Sequence, residues 1–215
     1  MFLLDVLFPK RCVFCGEILV RGEKIHCLHC CKHFPYSKDA RLEYQYKITE
    51  IPIENIDIFL DYSYCKDSLH RFKYGRDLSI GEKLGNLWAE HLSPLSWIEN
   101  VDLIIPISLH KKKLYKRGFN QSEVLGRILS KKLNIPLLTN VVQRKVNNPS
   151  QIYAKNRWEN VRDIFVLKDE TPLQNKHIMI IDDVITTSAT TNYFAKTLRQ
   201  ISDIKVSFAY LSSNF

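Results

Sequence analysis

Ile178-Met-Ile-Ile-Asp-Asp-Val-Ile-Thr-Thr-Ser-Ala-Thr190 carries four apolar residues directly into two adjacent carboxylates, and then into a small, hydroxyl-rich loop. A short, continuously apolar, β-branched run reads as a buried strand of a parallel sheet, here Ile178–Ile181. The stretch from Asn192 to Ile201 reads as the helix that follows. Ligands of open α/β sheets sit outside the carboxyl ends of such strands. A loop entering a helix N-terminus offers free backbone N–H groups and a dipole that favours an anion. Two carboxylates just before it accept hydrogen bonds from sugar hydroxyls or hold a divalent cation through oxygen. The segment therefore predicts a sugar-phosphate site, with the phosphate on the loop and the sugar diol or Mg²⁺ on Asp182 and Asp183.

Outward from this strand the pattern alternates. Asp57–Tyr64, Val101–Pro106, Ile164–Leu167 and Val206–Leu211 read as strands, the last two set around the opening motif. Asp67–Tyr74, Ser79–Leu92 and Phe119–Leu133 read as helices. Strands alternating with helices predict a parallel sheet and an α/β fold. The chain has 215 residues, room for one such domain and a small appendage. We place the appendage, an N-terminal helix, a cysteine module and a linker, at residues 1–50, and the α/β domain at residues 51–215. No run of 18 apolar residues is present, so no membrane span is expected. Met1–Pro9 lacks a basic start and contains Asp5, a poor signal peptide, and its apolar positions suit a short amphipathic helix. A cytoplasmic protein is expected.

Five of the six cysteines lie within twenty positions, as Cys12-x₂-Cys15 and Cys27-x₂-Cys30 with Cys31 beside them. Two such pairs present four thiolates to a structural zinc ion, as in a zinc ribbon. Cys12, Cys15 and Cys27 are three ligands; the fourth is Cys30, with Cys31 or His29 as alternatives. Cys65 stands apart and reads as a buried thiol.

Charge is uneven. The net +8 hides a segment, Ile107–Arg162, with thirteen Lys/Arg against Glu123 and Glu159, a surplus of 13 − 2 = +11. Such a segment attracts phosphate, on a small ligand or along nucleic acid. Tyr115, Phe119, Tyr153 and Trp158 are interleaved with it, which fits a groove that tracks a single strand and stacks its bases.

Asp182 to Thr190 resembles the phosphoribosyl-pyrophosphate (PRPP) motif of type I phosphoribosyltransferases. That resemblance implies that Asp182 and Asp183 contact the ribose hydroxyls. It also implies that Thr186, Thr187, Ser188, Ala189 and Thr190 bind the 5′-phosphate, with Mg²⁺ accompanying PRPP. One departure is visible, since that family usually has glycine where this chain has Ser188. Three further segments widen the likeness. They are Leu69-His-Arg-Phe-Lys-Tyr74, the run Ile105 to Gln121 that ends in Arg117-Gly-Phe-Asn-Gln121, and Arg144 through Pro149-Ser-Gln151 to Asn160. With the cysteine pairs, they make the chain similar to the ComF family of competence proteins, which join a zinc module to a phosphoribosyltransferase-like domain. The resemblance implies that Ser108, Leu109 and His110 hold pyrophosphate. Lys111, Lys112, Lys113, Lys116 and Arg117 surround that loop with positive charge and, with Arg144 and Arg157, contact phosphate or nucleic acid. A mobile loop is implied at Gln151, Asn156, Arg157 and Asn160. It implies a role in DNA uptake, contact with incoming single-stranded DNA, and a helicase or uptake machinery as partner. The other reading is an active phosphoribosyltransferase that transfers phosphoribosyl from PRPP to a nitrogen nucleophile. The sequence offers it no clear general base; His70 and His110 are near the motifs.

Overall fold

The computed structural model describes residues 9–34, 36–37, 50–145, 164–186 and 188–214. In chain order the elements are α1 (Leu28–Lys32), β1 (Asn55–Asp61), α2 (Tyr62–Tyr74), α3 (Leu78–Leu92), β2 (Leu103–Pro106), α4 (Lys111–Arg117), α5 (Gln121–Leu133), β3 (Val142–Arg144), β4 (Phe165–Leu167), β5 (His177–Ile185), α6 (Ala189–Leu198) and β6 (Lys205–Ser213). Four strands form one sheet in the order β1-β6-β5-β2, and every pair in it is parallel. The expected α/β class holds. β5 and β6 are central and almost wholly buried, which explains why Ile178–Ile181 is apolar on both faces.

Alternation along β5 separates two cores. Met179 and Ile181 join the cluster built by α2, α3 and α5, while Ile178 and Ile180 join the one built with α6. α3 and α5 lie close because Gly85 has no side chain: a Cβ there would meet Ile128 Cδ1 at 2.8 Å.

The cysteine module is part of this body. Cys12, Val13, Phe14 and Cys30 are buried in the same core as Leu69, Phe72 and Leu84. Phe14 meets Phe34 edge-on at 5.5 Å, and Phe34 lies 5.7 Å from Phe59 of β1. Ser68 of α2 donates to the Val13 carbonyl. Tyr36 then bridges Leu60 and the Ser37 N–H donates to the Phe59 carbonyl at 3.0 Å, so Tyr36 and Ser37 lie along β1.

Four expectations need correction. The strand over Asp57–Tyr64 stops at Asp61, whose carboxylate accepts from the Ser63 N–H at 2.8 Å and starts α2 at Tyr62. β5 does not end at Ile181; it runs on to Ile185 because β6 pairs beside it as far as Ser213. Ile164–Leu167 is outside the main sheet, forming a separate antiparallel pair with β3. The helix expected from Asn192 begins at Ala189 and ends at Leu198. The expectations for Met1–Phe8, for most of the linker, and for Gln151, Tyr153, Asn156, Arg157, Trp158, Asn160 and Thr187 lie outside the described residues.

Candidate functional site

The carboxyl ends of β5 and β2 gather the charged residues. Pro106 lies opposite Ile181 in the parallel register, and the Ile107 N–H donates to the Ile181 carbonyl at 2.9 Å. Ser108–His110 therefore leave the sheet alongside Asp182. Ser108 Oγ is buried and, among the described residues, has no hydrogen-bond partner. A buried hydroxyl left unpaired in a native fold calls for a ligand or water, and this one stands in the loop expected to hold pyrophosphate.

The two acids are held differently. Asp182 Oδ1 accepts from Ser122 Oγ at 2.6 Å and from the Asp183 N–H at 2.9 Å. Burial, and then the neighbouring Asp183 charge, push the Asp182 carboxyl up to about 7. Asp183 continues the Met179–Ile181 face toward α2 and forms an ion pair with Lys73 Nζ. Burial works against the Lys73 charge, but Asp183 outweighs it and holds the ammonium above its usual range. Ser212 Oγ fixes the Asp183 carbonyl at 3.1 Å. Adjacent carboxylates of this kind suit a hard cation or a diol.

Past β5, Thr186 is exposed and Ser188, Ala189 and Thr190 are half-buried at the start of α6. The Ser188 backbone has φ −63°, which any residue adopts, so serine replaces the family's usual glycine there without strain. Its side chain does not cap α6.

Lys111–Arg117, expected to surround the Ser108–His110 loop with positive charge, form α4 directly after it. No residue of α4 is buried, and Tyr115 is 92% exposed. The Arg117-Gly-Phe-Asn-Gln121 order now has a physical account. Gly118 takes φ +87°, ends α4 and donates to the Leu114 carbonyl at 2.7 Å. Phe119 packs tilted against Phe72, with ring centroids 5.4 Å apart, so it joins the edge of the core and not the expected base-stacking groove. Asn120 caps α5 by accepting from the Ser122 N–H, and donates to the Ile107 carbonyl. Arg117 donates to Gln121 and covers the Tyr74 ring, 5.0 Å from its centroid.

Neither histidine is placed as a base. His70 is exposed and packs on Tyr74 at 4.9 Å. His110 Nδ1 accepts from the Lys112 N–H at 3.2 Å, so Nε2 carries the proton and donates to the Lys145 carbonyl at 3.0 Å. That bond brings the end of β3 to the Ser108–His110 loop. Arg144 sits there over the Phe165 ring, its charge coupled to Asp182.

Sequence reasoning missed Lys73, Tyr74, Arg76 and Ser122. Lys73, Tyr74 and Arg76 join Lys113, Lys116 and Arg117 around a cavity of about 360 Å³. The Leu69–Tyr74 segment carries no local signal for its lysine, because a lysine at a helix end is ordinarily solvated.

The four thiols of Cys12, Cys15, Cys27 and Cys30 lie within 4.8 Å of one another, and no disulfide links the cysteines. α1 turns Cys30 inward and Cys31 outward, so Cys30 takes the fourth place and neither Cys31 nor His29 joins the group. Burial opposes ionisation of Cys12, but the N–H groups of Cys15, Cys27 and Phe14 bring its thiol down to about 7. The set fits a tetrahedral, thiolate-bound metal such as zinc. Cys65 is buried beside Asp61, and burial pushes its thiol up to about 12.

No family model matches the chain. Competence protein F of Haemophilus influenzae is 29% identical over 214 residues, covering 90% of this chain and 93% of that protein. The chain is a homologue of that competence protein. Competence protein ComFC of Bacillus subtilis is 25% identical over 67% of this chain and 58% of its own length. DNA utilization protein YhgH of Escherichia coli K12 is 30% identical over 60% of this chain and 59% of its own length. The match thus spans less than two thirds of these last two relatives. Among solved structures, adenine phosphoribosyltransferase of Saccharomyces cerevisiae resembles this chain with a TM-score of 0.42 and 15% identity, covering 65% of this chain and 72% of that one. Adenine phosphoribosyltransferase of Leishmania tarentolae does so with a TM-score of 0.41 and 13% identity, over 72% and 76%. No described helix is long and apolar enough to cross a membrane.

Proposed function

We propose that this protein works in the uptake and handling of external DNA, and that it binds PRPP or a nucleotide phosphate at the carboxyl ends of β5 and β2. The juxtaposition there carries the reading. An acid pair, a loop with an unpaired buried hydroxyl, a helix N-terminus and a ring of cations meet at one sheet edge. Asp182 and Asp183 would accept from the ribose hydroxyls or hold Mg²⁺, which when bound supplies charge neutralisation for a diphosphate. Ser108–His110 would take the pyrophosphate, and Thr186–Thr190 the 5′-phosphate. Single-stranded DNA is the proposed second ligand. It would run along α4, where Lys111, Lys112, Lys113 and Lys116 flank the exposed Tyr115. A cytoplasmic site of action is part of this reading, since thiolates clustered for a metal suit a reducing compartment. A helicase or uptake assembly is the expected partner.

Isothermal titration with PRPP and Mg²⁺ tests the site. Saturable heat with the wild-type protein, lost in Asp182→Asn, Asp183→Asn, is expected; equal heats from both would refute it. DNA contact should weaken with salt by a slope of about −0.7 per phosphate neutralised on a log–log plot. Salt-independent binding would count against the α4 surface. An active phosphoribosyltransferase is the weaker reading, because both histidines near the site are engaged or turned to solvent.

A further inference from the structure

Lys73 belongs to two places at once. Its ammonium pairs with Asp183, and its side chain walls the cavity between α2 and α4. Among the described residues, every one lining that cavity apart from Tyr74 is cationic: Lys73, Arg76, Lys113, Lys116 and Arg117. No described carboxylate lines it, so the cavity favours an occupant that brings negative charge. Burial, and then the charges of Arg144 and Arg117, hold the Lys113 ammonium below its usual range, the mark of a crowded cationic wall. Arg76 takes φ +55°, a conformation uncommon outside glycine and asparagine, at the lip of the same cavity. The side chain of Lys73 is only 17% exposed, so the lysine is not a solvated surface charge.

We propose that Lys73 is an exchange residue: it neutralises Asp183 when the site is unliganded, and transfers to a diphosphate in the α2–α4 cavity when a cation replaces it on the acids. This rests on the reading of Asp182 and Asp183 as the cation or ribose site. The arrangement selects a ligand that brings both charges. A cation alone must displace Lys73 into a cavity already full of positive charge. A diphosphate alone must draw Lys73 away and leave Asp183 buried without its partner. A metal–diphosphate satisfies both, so the site discriminates against free cations and metal-free phosphates.

The test keeps the two charges apart, so that binding of metal to diphosphate in solution does not enter. Full-length zinc-loaded protein is titrated with Mn²⁺ alone, followed by electron paramagnetic resonance, and separately with metal-free inorganic pyrophosphate. Lys73→Gln should bind Mn²⁺ at least about fivefold tighter than wild type, and pyrophosphate at least about fivefold weaker, the lower end of ordinary coupling between sites. Asp183→Asn, which frees Lys73, should bind pyrophosphate tighter than wild type. That opposite sign separates exchange from a simple cationic contact. Lys73→Arg keeps the charge and should behave as wild type, which guards against a Lys73→Gln protein that folds poorly. Unchanged Mn²⁺ affinity in Lys73→Gln, or weaker pyrophosphate binding in Asp183→Asn, overturns the exchange. If that happens in a protein that still binds PRPP with Mg²⁺, the proposed function stands without it; loss of PRPP binding altogether refutes the proposed function itself.

Discussion

Asn120→Ala should loosen the site from a distance. The Asn120 side chain makes two bonds, accepting from the Ser122 N–H at 3.2 Å and donating to the Ile107 carbonyl at 3.2 Å. The first is the N-cap of α5, worth about 1 kcal/mol. The second ties the loop that begins at Ile107 to the start of α5 and is worth about 1 kcal/mol more. Alanine removes both, for a loss of about 2 kcal/mol. Serine keeps a capping oxygen but is too short to reach Ile107, so Asn120→Ser should lose about half as much. Urea unfolding followed by fluorescence reads the difference: with a slope of about 2 kcal/mol per molar, the midpoint moves by about 1 M for alanine and about 0.5 M for serine. The alanine variant should also bind PRPP more weakly, because Ser108–His110 lose their tether. Equal midpoints for wild type, Ser and Ala would refute the account of Arg117–Gln121 as the clasp between α4, α5 and the loop.

Metal analysis of the purified protein should find about one equivalent of zinc, and Cys30→Ser should reduce it while Cys31→Ser should not. Because Val13 and Phe14 are buried against α2, stripping the metal should lower the melting temperature of the whole domain, not of a separate module. His177 is buried and bonded to Ser207 Oγ at 2.8 Å, and burial holds its imidazole below the usual value. The folded protein therefore binds fewer protons here than the unfolded chain, so stability should fall as pH drops below about 6.5. His177→Gln should flatten that part of the melting-temperature profile between about pH 5 and about pH 7.

Those features that announce themselves locally were legible in the sequence. Ile178–Ile181 is apolar on both faces because β5 is central, and Cys12, Cys15, Cys27 and Cys30 carry their spacing openly. What could not be read depended on neighbours distant in the chain. The acids lie within β5 and not after it because β6 continues to pair alongside them. α4 has no apolar stripe and buries nothing, so its Lys-Lys-Lys-Leu-Tyr-Lys-Arg run has no helical period to detect. Phe119 was read with the basic segment because it is aromatic and near lysines, yet α2 brings Phe72 to its ring. Nothing local sets Lys73 apart, and only the packing of α2 beside β5 delivers it to Asp183. Ile164–Leu167 has strand composition, but composition does not say which sheet a strand joins.

A crystal of this protein soaked with PRPP and Mg²⁺ tests the central claim most directly. The ribose hydroxyls or the metal should lie on Asp182 and Asp183, the 5′-phosphate at Thr186–Thr190, and the diphosphate between Ser108 Oγ and the α2–α4 cavity, with Lys73 drawn off Asp183. Density for the ligand elsewhere, or an Asp183 still paired with Lys73 beside an empty Thr186–Thr190 loop, would contradict it.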